Sequence, residues 1–120
     1  MFSQLFGKYL VDNKVITKEQ LDEVISKMEN VRAKLGFIAV SEGILTKEKA
    51  EEINILQTQK DAKFGDIAVE EGYITKEQLE DMLDKQGSTY IKFMQVLEEV
   101  SGLLQNEIET HIEEFRKNIG

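Results

Sequence analysis

The 120-residue chain has no cysteine, no proline and a single histidine. Without cysteine there is no disulfide framework, no thiolate metal site and no cysteine nucleophile, and a reducing cytoplasm is the expected compartment. Without proline nothing forces a helix to break, so segment boundaries must come from glycine and from capping residues. His111, in "ETHIEEF", offers one nitrogen ligand and reads as a surface residue, so neither a metal nor a cofactor is expected. Long apolar runs are also missing: "FIAV" at 37–40 falls far short of the roughly 20 residues that span a bilayer. The first residues, "MFSQLFGKYLVDNK", are interrupted by Gln4, Lys8 and Asp12 and lack the apolar core of a secretory signal. No membrane insertion is expected. Positive charge is scarce, with 15 Lys plus Arg against 23 Asp plus Glu and a formal charge of -8. That balance repels nucleic-acid polymers and anionic membranes, so an anionic ligand would need a local basic pocket. The size suits one domain spanning residues 1–120, burying roughly two-thirds of its unfolded surface.

What is present is a repeat. Gly7, Gly36 and Gly65 are evenly spaced and are followed by the apolar triplets "YLV", "IAV" and "IAV". Their period, about 29 residues, falls in the range of stacked repeat architectures. Further along each copy, at a constant offset from the glycine, come Lys14, Gly43 and Gly72, then an apolar pair, then Thr17, Thr46 and Thr75. Leu21, Ala50 and Leu79 follow one helical turn later. One more step predicts a degenerate fourth unit beginning at Lys92-Phe93, with Gly102 one position out of register and Ile108, Ile112 and Phe115 in its second half. The units run approximately over 5–28, 34–57, 63–86 and 92–115.

Each unit reads as two helices. Ile67, Ala68 and Val69 mark a first helix of about two turns, and Gly72 takes the left-handed position that ends it. Thr75 then opens a second helix as a capping box with Gln78, and Ile74 and Leu79 stand at hydrophobic-staple spacing. Thr17 and Gln20 repeat the box, whereas Lys49 leaves the one at Thr46 half broken. Glu19, Glu48 and Glu77 lie in first turns, where the helix dipole favours them by roughly 0.3 to 1 kcal/mol each. An apolar stripe such as Leu79, Met82 and Leu83 cannot be buried within one unit, so these helix-turn-helix units are expected to stack into an all-α domain. The polar helix "NEIETHIEEFRKN" ends the series, either as a cap or as an edge awaiting a partner.

The residues Lys63-Phe64-Gly65, Ala68-Val69, Gly72, Leu79, Leu83 and Gln86 carry a resemblance. They are similar to the motif R-L-G-x-x-L-V-x-x-G-x6-L-x3-L-x2-Q of the N-terminal domain of type II secretion and type IV pilus assembly ATPases. In the MshE-type members, two 24-residue motifs joined by five residues bind cyclic di-GMP. Here residues 34–57 and 63–86 are likewise separated by five residues. By position, the resemblance implies Lys34 and Lys63 as the contacts to guanine and phosphate, and Gly36 and Gly65 as points of close backbone approach. It further implies Gln57 and Gln86 as polar contacts, with Leu35 and Phe64 covering the bases. Both motif arginines are lysines here, and lysine lacks the planar fork that pairs with a guanine edge. The second unit departs further, with Ala39, Ala50 and Asn54 at leucine positions.

The alternative for the glycines is packing, since an interior glycine costs about 1 kcal/mol against alanine and close helix approach offsets that cost as well as ligand access does. Phe6, Phe64 and Phe93 recur at the second motif position and are core or ligand cover before they are a stacking platform for nucleic acid. Glu51-x-x-Asn54 matches a short signature of chemotaxis phosphatases of the CheC and CheX kind, but without the distal proline; tandem units similar to these precede such phosphatase-like domains, which implies, as an alternative setting, the N-terminal part of a CheX-like chemotaxis protein. Walker-type phosphate loops are absent. The expectation is a non-enzymatic regulatory or interaction module with a protein partner. The alternative is a receptor for cyclic di-GMP or a related nucleotide, using the second and third units.

Overall fold

A computed structural model describes residues 2–119; Met1 and Gly120, the ends of the expected span, lie outside it. Every described element is helical: α1 (Phe2–Asp12), α2 (Lys18–Met28), α3 (Leu35–Ser41), α4 (Lys47–Lys60), α5 (Phe64–Glu70), α6 (Lys76–Asp84), a single 3-10 turn (Lys85–Gly87), α7 (Thr89–Ser101) and α8 (Gln105–Ile119). Among the described residues, no helix is long and apolar enough to cross a membrane.

Local chemistry accounts for the boundaries. The Thr17 and Thr75 hydroxyls accept from the amides of Gln20 and Gln78, and each glutamine side chain accepts from its threonine amide, which completes both capping boxes. Thr46 accepts from the Lys49 amide. At α8 the other half of the box survives, for Glu107 accepts from the Leu104 amide at 2.8 Å. The second helices therefore begin at Lys18, Lys47, Lys76 and Gln105, in equal steps along the chain.

The first helices end in a shared Schellman geometry. Gly43 and Gly72 take φ of 73° and 79°, and the next amides, of Ile44 and Tyr73, reach back to the carbonyls of Ala39 and Ala68. In the first pair the left-handed position falls on Lys14, with φ 61°, and Val15 reaches back to Leu10.

The described residues divide into two compact units, one formed by those up to Arg32 together with those from Thr89 onward and the other by residues 33–88. In chain order the second unit is inserted within the first. The helix pairs are nested: α1 and α2 pack on α7 and α8 in one unit, and α3 and α4 pack on α5 and α6 in the other.

In the discontinuous unit, α7 is the central helix, buried without a break from Phe93 to Leu97. Phe6 sits edge-on to Phe93 at 6.2 Å between ring centroids and tilted against Phe115 at 5.4 Å. Gln95, buried in this run, donates its side-chain amide to the Arg32 carbonyl at 3.3 Å. Ile108, Ile112 and Phe115 are all buried. Of the two expectations for the final helix, the structure gives the cap: its apolar face is covered within its own unit by α1 and α7.

Two outcomes follow. Lys14→Gly removes a side chain from a left-handed residue and is expected to stabilise the protein by about 0.5 to 1 kcal/mol, whereas Gly72→Ala is expected to destabilise it by about 1 kcal/mol. Urea unfolding midpoints check both. Glu109 buries one carboxylate oxygen that has no hydrogen-bond partner, and this desolvation, with the charge of Glu113 adding to it, raises its pKa above the ordinary 4.5. A folded-state pKa above the unfolded one favours folding below the unfolded value, and the advantage fades as pH rises through the folded value. Glu109→Gln is therefore expected to raise stability at pH 7 and leave it nearly unchanged at pH 4, measured by unfolding at the two pH values.

Candidate functional site

The residues assigned by position to a nucleotide site all belong to the unit of residues 33–88. Lys34 and Lys63 occupy the N-cap positions of α3 and α5 with extended backbone, and neither side chain caps its helix. Both are exposed at the helix starts, with Leu35 half-buried one residue on.

The glycines are packing contacts. A Cβ at Gly65 would lie 2.7 Å from Leu79 Cδ1, and one at Gly7 in the other unit would lie 2.5 Å from Leu21 Cδ1. In both pairs the leucine of the second helix rests on bare backbone of the first. The second pair has Ala50 at that position, and the space is taken differently: the ring of Phe64 lies 3.3 Å from where a Gly36 Cβ would stand. Two residues assigned to one site are thus brought together, with Phe64, itself buried, covering Gly36 from within the chain.

Gln86 is tied down as well. Its side-chain amide donates to the Ala33 carbonyl at 3.2 Å, and its own backbone carbonyl accepts from the Ala33 amide at 3.1 Å. The neighbouring Lys85 pairs with Glu42, the C-cap of α3. That hydrogen bond raises the lysine pKa above its ordinary value. The short 3-10 turn therefore holds α3 at both ends. Gln57, its counterpart one repeat earlier, is still inside α4 and half-buried, because α4 runs on to Lys60 before Asp61 ends it in the left-handed conformation with φ 49°.

Glu51 and Asn54 lie exposed on α4, where the Thr58 hydroxyl donates to the Asn54 carbonyl. On the same helix Glu52 accepts from the Tyr73 hydroxyl at 3.0 Å, and the Lys49 ammonium sits 5.3 Å from the centre of the Tyr73 ring. This contact fixes the α5–α6 turn to α4 and raises the tyrosine pKa through its hydrogen bond with Glu52.

Sequence reasoning missed an open groove on α5 and α6 of about 380 Å³. It is lined by Val69, Leu79 and Leu83 together with three acidic residues, Asp66, Glu70 and Glu80, and one basic residue, Lys76. Leu83 was expected in the buried stripe; Met82 beside it is buried, but Leu83 remains 46% exposed. The difference is one of register, since adjacent helical positions point about 100° apart and a short α6 turns only one of them into the core. The surplus of carboxylates makes the groove unfavourable for an anionic ligand. No local pattern in the sequence marks it, because Asp66 and Glu70 stand on α5 and Glu80, Leu79 and Leu83 on α6. Among the described residues, no group of three acidic, histidine or cysteine side chains could hold a metal ion.

Comparison with protein-family models, with curated proteins and with solved structures returned no match.

Gln86→Ala removes a part-buried hydrogen bond and is expected to cost about 1 kcal/mol, while Gln57→Ala stays within about 0.5 kcal/mol. Chemical denaturation of the two variants checks the difference.

Proposed function

We propose that the chain is a non-enzymatic protein-interaction module, built on a scaffold similar to the N-terminal domain of secretion and pilus-assembly ATPases. The observation that carries this reading is the occupation of Gly36. In a nucleotide receptor that glycine would admit the ligand to the backbone, but here the Phe64 ring lies against it. The tie between Gln86 and Ala33 supports the same reading, since a ligand drawing on that amide would have to displace an internal bond. Lysine in place of both motif arginines removes the bidentate contact that gives guanine recognition its strength. The groove on α5 and α6 is lined by Val69, Leu79 and the exposed Leu83, features suited to a partner's side chains.

Isothermal titration of the full chain with cyclic di-GMP is expected to give no heat up to about millimolar nucleotide, the weak-affinity end of the scale. Lys63→Arg is expected not to restore binding. In parallel, cross-linking and affinity capture from cell extract are expected to return a specific protein. Tight nucleotide binding that Lys63→Ala weakens, with no protein captured, would replace this reading by that of a cyclic dinucleotide receptor.

A further inference from the structure

We propose that the groove between α5 and α6 docks a basic amphipathic helix of a partner protein. The inference rests on the interaction reading above and names the site and the chemistry of its partner.

The first argument is internal precedent. Because α8 starts one repeat after α6, Leu79 and Leu83 correspond to Ile108 and Ile112. Those two are 0% and 2% exposed, on the stripe of α8 that packs within its own unit against α7 and α1. One turn further along, Phe115 meets Phe6 and Tyr9 of α1 at 5.4 and 5.2 Å between ring centroids. In that pair, then, helices with an apolar face cover the corresponding stripe, whereas Ile25, the counterpart of Leu83 in the first pair, is 37% exposed. On α6 the stripe is open at Leu83, and its apolar anchors have the one-turn spacing that a helix laid in a groove reads.

The second argument is charge. Asp66, Glu70 and Glu80 outnumber Lys76 in the lining, so a helix bringing lysine or arginine beside its apolar face gains there, whereas an acidic one is repelled. This also decides against a second copy of the chain as occupant. A copy carries a formal charge of -8, and two such acidic surfaces would meet with like sign. A nucleotide phosphate faces the same repulsion.

The test uses the full chain and two fluorescent synthetic helices of equal length. Both carry leucine on one face, and the polar face is lysine in one and glutamate in the other. Fluorescence anisotropy at two salt concentrations reads binding, and circular dichroism confirms that each variant is folded. The lysine peptide is expected to bind and the glutamate peptide not to. Leu83→Glu is the deciding variant, because it adds negative charge while removing an apolar anchor. It should weaken the lysine peptide at least about tenfold, the loss expected of a central apolar contact. Glu80→Lys should weaken it too, and Glu48→Lys, with the same change in net charge at an exposed position on α4, should not.

If Leu83→Glu binds as well as or better than the parent, attraction is merely electrostatic and the proposal fails. Equal binding of both peptides, or a dimer in sedimentation that Leu83→Glu dissolves, also overturns it. A natural partner whose capture survives Leu83→Glu removes the groove and leaves the interaction reading standing. Nucleotide binding with no protein partner removes both.

Discussion

The reciprocal bond between Ala33 and Gln86 is the constraint on which the organisation of the middle of the chain depends. It joins residues 53 positions apart, at the two ends of the unit of residues 33–88, through one backbone pair and one side-chain amide. Closing so long a segment is entropically unfavourable, although the cost grows only slowly with length. The closure makes insertion possible, because a unit whose ends meet can interrupt another unit without pulling its halves apart. Lys85 and Glu42 reinforce it at the far end of α3. The outer unit has its own hold on the same stretch of chain, since Gln95 donates to the carbonyl of Arg32. Two successive peptide carbonyls, those of Arg32 and Ala33, are thus each gripped by a glutamine amide from their own unit.

That division of labour changes the meaning of Gln86. As a motif residue it stands at the end of a pattern associated with nucleotide contact, yet here its amide closes the unit. The exchange at Gly36 has the same character. Where two pairs set a leucine on glycine, the pair containing Ala50 leaves a gap, and Phe64 from the following pair fills it. A smaller residue at one position and a ring at another are one packing solution. Dense packing makes such coupling necessary, for a gap of this kind forfeits dispersion contacts on every side that lines it.

Local structure was legible in the sequence wherever one residue type has one physical use. Glycine at the left-handed position of two pairs, threonine at the cap of three and glutamine three residues on in two of them predicted the local turn geometry, and the hydrogen bonds agree. Lys14 shows the limit: the register pointed to the position, but not to a lysine adopting φ 61° there. The nesting of pairs was not legible, because an apolar stripe records that it is buried and not by which partner. Nor was the closure at Gln86, since a glutamine side chain that reaches across 53 residues leaves no local pattern. Leu83 escaped for a related reason. It has the spacing of a core residue, and only its three-dimensional neighbours reveal that nothing closes over it.

The repeat makes that last residue informative. Second helices that begin in equal steps let one position be compared several times, and at this one the counterparts differ. Ile112 is buried at the position where Leu83 is 46% exposed. Ile25, at the same position in the first pair, is 37% exposed, so exposure there alone distinguishes nothing. What separates Leu83 from it is the combination: a groove lined by Val69 and Leu79 together with acidic residues from both helices. An exposed leucine by itself is ordinary on a protein surface, and it is the concave apolar patch with charge of a single predominant sign around it, not the leucine alone, on which the proposed docking rests.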